Sequence, residues 1–355
     1  MGYDPYYIED SGRWIYDPDI GYLSPDASKN VAAVAPVLKE HGFANRWAFR
    51  GKYEGGQCFG MTEKQIGKLY READAFLNVT GAQEIREEHM ACSKRIYVET
   101  DPVVSQIKVA QGDKATIASL DAHNFHFSYG GNFGAPDCLL PIERYHWKPT
   151  RQPVVLDLWE NEIAKLNGAA YNTVATWQNK GRDIVFNGRK YYWSKDREFK
   201  KLLDLPLKRD VPFELATGVD ERTHRKLVAA KWSVIDPVHI SRDMERYRDY
   251  IRRSRGEFTV AKDQNIRLRS GWFSDRSVCY LAASRPVINQ ATGFENYLPT
   301  GKGLFAFRNM KEILSAVDEI ESEYEGNCRA ARDIAEEYFA AEKVLGELMK
   351  EVGGR

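Results

Sequence analysis

Residues 259–307 read TVAKDQNIRLRSGWFSDRSVCYLAASRPVINQATGFENYLPTGKGLFAF, and the reading of this stretch decides the fold. It begins inside Phe258-Thr259-Val260-Ala261, an apolar, β-branched run that predicts a short buried strand. A polar loop bearing Lys262, Arg267, Arg269 and Gly271 follows. Ser274 then opens a helix expected over 275–283, with Asp275 in the first turn, where the helix dipole favours an acid. Arg285-Pro286 stops it, Pro286-Val287-Ile288 predicts a second buried strand, and Thr292-Gly293 and Gly301-Lys302-Gly303 mark turns beyond. Strand, loop, helix and strand make half of a doubly wound α/β unit, so a mostly parallel sheet is expected.

Such a unit favours an anion. Free N–H groups and the positive end of the helix dipole point into the loop where basic side chains converge. The carboxyl ends of strands are also where open α/β sheets bind ligands. The plainer alternative is that Ser274 only caps a helix and the arginines are solvated.

Upstream, Phe213-Glu214-Leu215-Ala216, a helix, Trp232-Ser233-Val234-Ile235 and another helix keep the same alternation. With that order in place, SGWFSDRSVCYLAASRPVINQATGFENYLPTGKGLFAF resembles the donor-binding segment of GT-B glycosyltransferases, of the group-1 and spore-maturation-like types. The whole chain resembles a glycosyltransferase family of undefined substrates, through YYIEDSGRWIYDP, ETDPVVSQI, KPTRQPVVLD and CRAARDIAEEYFAAEKVL. The resemblance implies two doubly wound, Rossmann-like domains. An acceptor domain would occupy 1–160 and a nucleotide-sugar domain 161–325, with a helix over 326–355 returning to the first. Members of the family usually begin with a strand and a glycine-rich turn. This chain starts with Met1-Gly2-Tyr3-Asp4-Pro5-Tyr6-Tyr7-Ile8-Glu9-Asp10, which looks like their second strand, so the first domain is expected to lack its usual first βα unit.

The 355 residues are enough for two domains, and 43% hydrophobic residues supply two cores. Acidic and basic residues number 51 each, which argues against long-range attraction to nucleic acid or anionic lipid. Five cysteines, odd in number and without a CxxC pair, are expected to be reduced thiols of a cytoplasmic protein. No run reaches the length of a membrane-spanning helix.

Elsewhere Ser28 and Thr62 are expected to cap helices, 75–79 and 95–99 to be strands, and 129–134 a glycine-bearing loop. Residues 180–201 form a basic, aromatic excursion in which Gly188 suggests a hairpin, and 326–349 read as one helix with only Gly346 interrupting it. Ile334, Tyr338, Phe339 and Leu345 make its inward stripe.

The expected diphosphate site comprises Lys262, Arg267, Gly271 and the backbone amides near Phe273, Ser274 and Asp275. Arg276 either joins it or pairs with a carboxylate, and Thr292 and Gly293 complete the donor-binding set. Trp177, after the first strand of the second domain, stands at the expected cleft edge; Trp272 either covers a sugar face or packs in the core. Asp101, after a strand, is the candidate general base, or else caps the next turn; Glu9 or Asp10 could replace it. His123 and His126 would face opposite sides of a strand and make a poor metal pair, so no metal site is expected. One departure from the resembling pattern matters. Retaining members carry two glutamates around this helix, and here Gly271 and Cys279 stand at those places.

The reading is a metal-independent glycosyltransferase, with a nucleotide-diphosphate sugar as donor substrate, no required cofactor and an unknown acceptor. The alternatives are a non-catalytic sugar-nucleotide-binding or interaction protein, and an epimerase or phosphorylase on the same architecture.

Overall fold

The computed structural model describes residues 2–10, 14–17, 19–51, 57–160 and 169–353. By contact the chain divides into two units, Met1–Thr100 with Gly112–Phe127, and Asp101–Gln111 with Ser128–Arg355. The crossing expected near 160–170 falls largely on 161–168, which lie outside the described residues.

In the smaller unit β1 (Tyr7–Glu9) runs parallel to β4 (Trp47–Arg50), which pairs antiparallel with β5 (Cys58–Gly60). Between them β2 (Ile15–Asp17) and β3 (Tyr22–Ser24) form a hairpin, and α1 (Ser28–Glu40) follows. The cap expected at Ser28 is displaced: Ala27 holds that position and offers no side-chain acceptor, while Asp26 accepts the Ser28 amide at 2.9 Å. Thr62 does cap α2 (Glu63–Glu72), in a reciprocal box with Gln65 that satisfies two otherwise free amides. Strands β6 (Phe76–Val79), β7 (Arg95–Glu99) and β8 (Phe125–Ser128) are neighbours in a second sheet, with α3 (Val104–Ala110) and α4 (Lys114–Asp121) between β7 and β8 in sequence.

The larger unit contains α3 and continues through β9 (Trp147–Pro149), β10 (Tyr171–Val174), β11 (Ile184–Phe186), β12 (Arg189–Tyr191) and α5 (Asp196–Lys201). There follow β13 (Phe213–Ala216), α6 (Glu221–Ala229), β14 (Trp232–Ile235), α7 (Pro237–Ser241), α8 (Met244–Arg252), β15 (Gly256–Thr259) and α9 (Asp263–Leu268). The chain ends with α10 (Asp275–Ala282), β16 (Val287–Gln290), β17 (Leu304–Phe307), α11 (Met310–Ser322), α12 (Tyr324–Tyr338) and α13 (Ala341–Glu351). Six parallel strands lie in the order β14-β13-β10-β15-β16-β17. Strand order therefore reverses between β10 and β15, which opens a crevice at their carboxyl ends.

Both faces of this sheet are covered. Phe213, Trp232, Phe258, Phe307, Ile313 and Ile320 belong to one buried cluster, and Phe273, Val278, Leu281, Val287, Phe294 and Phe339 to another. Each fully buried side chain of this size contributes about 1.5–3 kcal/mol, so the sheet is a rigid support for what its edge carries.

Three local readings shift. The strand expected at 258–261 ends at Thr259, and the polar loop after it contains α9, closed by Arg269 in the left-handed conformation (φ 54°). The C-terminal helix breaks into α12 and α13, because Val154 donates to Phe339 O at 2.8 Å and accepts from the Ala341 amide at 3.0 Å. The expected stripe still turns inward: Ile334 and Phe339 are buried, and Tyr338 and Leu345 half-buried.

Candidate functional site

The carboxyl end of β15 leads through Val260 and Ala261 to Lys262. A chain of amide and carboxylate groups fixes that end. The Ala261 amide donates to Gln290 Oε1 (3.2 Å), whose Nε2 donates to buried Glu198 on α5 (2.8 Å), which also takes Lys201 (2.6 Å). Strands β15 and β16 and helix α5 are thereby tied around one edge of the crevice.

Lys262 is buried there on an aromatic floor. Its Nζ lies 3.2 Å from the Trp193 ring centroid and 5.8 Å from that of Trp272, and donates to Asp101 Oδ1 at 2.7 Å. Burial pushes its pKa down, and Asp101 partly offsets this. Lys195, only 8% exposed, has its Nζ 5.6 Å from the Trp272 centroid and no carboxylate partner among the described residues. Burial first, then Arg276 and Lys262, hold it well below an ordinary lysine. Both lysines thus lie buried beside the Trp272 ring, and of the two Lys262 has a carboxylate partner, the half-exposed Asp101; an incoming anion stabilises the charged form of each.

Helix α10 starts beside them. Ser274 occupies the cap position with extended backbone but makes no capping hydrogen bond, so the first-turn amides receive nothing from it. The Asp275 side chain reaches solvent at the mouth of the crevice, yet its carboxyl is pushed up to about 6, by desolvation within the crevice and then by Asp101. Arg276 takes the carboxylate-pairing option: it donates to buried Glu257 (Nε–Oε1 2.6 Å) and to Thr259 Oγ1 (2.9 Å), while Thr173 also donates to Glu257 (3.1 Å). This pair pins the start of α10 to the sheet.

The remaining expected donor residues are engaged by partners within the protein. Arg267 turns away to Asp263 (3.2 Å), to Lys190 O (2.8 Å) and over the Tyr191 ring (4.2 Å), because α9 points it at the β11–β12 hairpin. Trp177 is a core residue stacked on Phe199, 5.4 Å between centroids. Phe273 is also core, and its carbonyl accepts from Gln152 at 2.6 Å. Gly271 (φ +80°) and Gly293 (φ +106°) are glycines for the sake of Asn132: an added Cβ would meet Asn132 N at 2.2 Å and Asn132 Nδ2 at 2.7 Å respectively. Thr292 bonds Trp272 O at 2.6 Å and its carbonyl takes the Gly271 amide at 2.8 Å. Of the expected set, then, Lys262, Asp101, Ser274 and Asp275 meet at the crevice.

Sequence reasoning missed Lys195, Trp193 and Asn132. The first two lay inside the basic, aromatic excursion, and the signal was a lysine directly before an acidic helix start. Asn132 lay in the Tyr129–Gly134 loop, where paired glycines announced a close backbone approach.

In the smaller unit Asp10 is buried and paired with Arg50 and Arg86, both of which also hold Glu88. Asp10, Glu88 and His89 lie close enough to hold a cation, but two guanidiniums already neutralise the acids. His89 Nδ1 accepts the Arg86 amide at 2.9 Å, so its proton resides on Nε2, the atom a metal would need free. The cluster is an ion-pair core, in which Asp10 is buried between Arg50 and Arg86. Glu9 accepts from the Tyr7 hydroxyl. His123 and His126 are core histidines bonded to Ser119 O (2.8 Å) and Leu120 O (2.9 Å).

No family model and no curated protein matches the chain. Solved structures do. Anabaena Alr3699/HepE in complex with UDP is similar over 99% of this chain and 100% of its own, with a TM-score of 0.57 at 9% identity. Its complex with UDP-glucose is similar over 90% and 88%, with a TM-score of 0.55 at 10% identity. Sucrose-phosphate synthase from Thermosynechococcus elongatus is similar over 98% of both chains, with a TM-score of 0.51 at 9% identity. The likeness is one of fold: the α/β architecture of GT-B glycosyltransferases, with Rossmann-like domains.

Proposed function

We propose that the chain is a glycosyltransferase that binds a nucleotide-diphosphate sugar in the crevice between β10 and β15 and passes the sugar to a hydroxyl acceptor. The observation that carries this is the pair of buried, depressed lysines, Lys195 and Lys262, beside the uncapped start of α10. Two ammonium groups and first-turn amides converge on one volume, as leaving-group stabilisation in a nucleotide-sugar transferase requires. That one protein of similar fold, Alr3699/HepE, is solved in complexes with UDP and with UDP-glucose makes uridine diphosphate the first ligand to try. With cations in place around the diphosphate, the reading needs no metal ion. The domain division expected from the sequence, acceptor before 160 and donor after it, belongs to the same proposal.

The binding-protein reading keeps one observation in its favour. Asp101, the expected base, is engaged by Lys262 at 2.7 Å, so the oxygen that would take the acceptor's proton already accepts a hydrogen bond. Titration of the purified chain with a panel of nucleotides and nucleotide sugars, followed by assay of donor turnover, separates the two. We expect a nucleoside diphosphate to bind, and Lys262→Ala to weaken it by about ten- to a hundredfold, the effect of a lost charged hydrogen bond. Unchanged affinity in Lys262→Ala removes that lysine from the site, and binding without any turnover favours the binder.

A further inference from the structure

The excursion between β10 and α5 is far longer than the two to six residues that usually join such elements. Residues 178–201 hold eight Lys and Arg against three acids, in a chain whose formal charges balance. Each acid is taken by a neighbouring lysine: Asp183 by Lys190, Asp196 by Lys200 and Glu198 by Lys201. Lys180, Arg182, Arg189 and Arg197 remain exposed and make no salt bridge among the described residues, Arg197 acting on Asp183 only through space.

The scaffold under these cations is firm. Asn187 and Gly188, both in the left-handed region, make the tight turn of the β11–β12 hairpin. Its inner residues Ile184 and Tyr191 are buried against Val103, Ile107 and Leu268, and Gln111 Nε2 donates to Val185 O at 2.7 Å. Arg197 lies 3.8 Å over the Tyr192 ring, and Arg182 lies 5.0 Å from the centroid of Trp193, the indole that carries Lys262. The cationic face is therefore preorganised and adjoins the crevice.

We propose that this face docks the acceptor, and that the acceptor is an anionic carbohydrate, bearing carboxylate, sulfate or phosphate groups beside its hydroxyls. The acceptor role rests on the transferase reading above; the anion-binding face does not. Three of the four unpaired cations are guanidiniums, whose fork matches such oxyanions. The patch is confined to one hairpin and one short helix of an otherwise balanced chain, which fits a discrete soluble oligomer better than a membrane or a duplex.

The test uses the full chain and a heparin fragment as probe, against a neutral dextran fragment of the same length, poly-glutamate and phosphatidylglycerol vesicles. We expect the heparin fragment to bind in a salt-sensitive way and the dextran not to. Arg182→Ser/Arg189→Ser/Arg197→Ser, and independently Lys180→Glu/Arg189→Glu, should weaken it by at least about tenfold. Arg222→Ser/Arg225→Ser/Lys226→Ser on α6 should not, and the Lys180→Glu/Arg189→Glu and α6 variants should keep nucleoside diphosphate affinity. Equal binding by dextran, stronger binding by vesicles or poly-glutamate, or equal loss in the α6 variant overturns the proposal. A wild-type chain that binds heparin but no nucleotide overturns the transferase reading and leaves the face standing.

Discussion

Lys262 owes its position to two indoles and one carboxylate, and its energetics follow from that company. Expected from the sequence to act from separate domains, Lys262 and Asp101 are in contact at 2.7 Å, so their effects cannot be independent. A double-mutant cycle of Lys262→Ala and Asp101→Asn, read by nucleoside diphosphate titration, should give a coupling of about 0.5–3 kcal/mol; strict additivity would mean the pair does not govern binding. Asp275 supplies the pH dependence. Its folded pKa, about 6, already exceeds the ordinary carboxylate value, and a diphosphate nearby adds negative charge that raises it further. Binding then takes up a proton, so affinity should strengthen as pH falls from about 8 toward 6 and level off below. The ligand's own titration is common to wild type and Asp275→Asn, so the difference between their pH profiles isolates the residue. We expect Asp275→Asn to bind more tightly at neutral pH; identical profiles would place Asp275 outside the site.

At the scale of elements, α10 and its leading loop are set by Asn132 from outside and by Glu257 from below. Gly271→Ala puts a Cβ within 2.2 Å of the Asn132 amide nitrogen at a φ of +80°, which should cost on the order of 1–3 kcal/mol and loosen the nucleotide site with it. Thermal unfolding and nucleotide titration of that variant check this, and an unchanged melting midpoint would show that the loop has room. The alternation of strands and helices in this region was legible, because β-branched runs, Pro286 and the glycine turns act locally. Helix α9 was not, since its start is held by Asp263 accepting the Tyr192 amide at 3.0 Å, a partner distant in sequence. Arg267 was misplaced for the same reason: its direction depends on a helix the local pattern did not announce.

For the molecule as a whole, the C-terminal run closes the larger unit upon itself. Val344, Leu348 and Val352 of the last turns are buried, at 3%, 4% and 3% exposure. Deleting 341–353 removes three such side chains, each contributing about 1.5–3 kcal/mol, from a protein whose net stability is of order 5–15 kcal/mol. The truncated chain should melt markedly lower or fail to fold, and a wild-type melting midpoint would contradict this packing. What the sequence determined by itself was the repeated α/β order, five of the six strands of the larger sheet to within a few residues, and Lys262 beside a helix start; the strand at Leu304–Phe307 was not read. These rest on periodicity, capping and turn chemistry, which act over a few residues. Only the tertiary structure decided which charges meet. Lys195 reached the crevice through a hairpin, Asp101 closed on Lys262 across 161 positions, and Gly271 and Gly293 made room for Asn132. Burial and ion pairing depend on distance in space, and a linear pattern carries no measure of that.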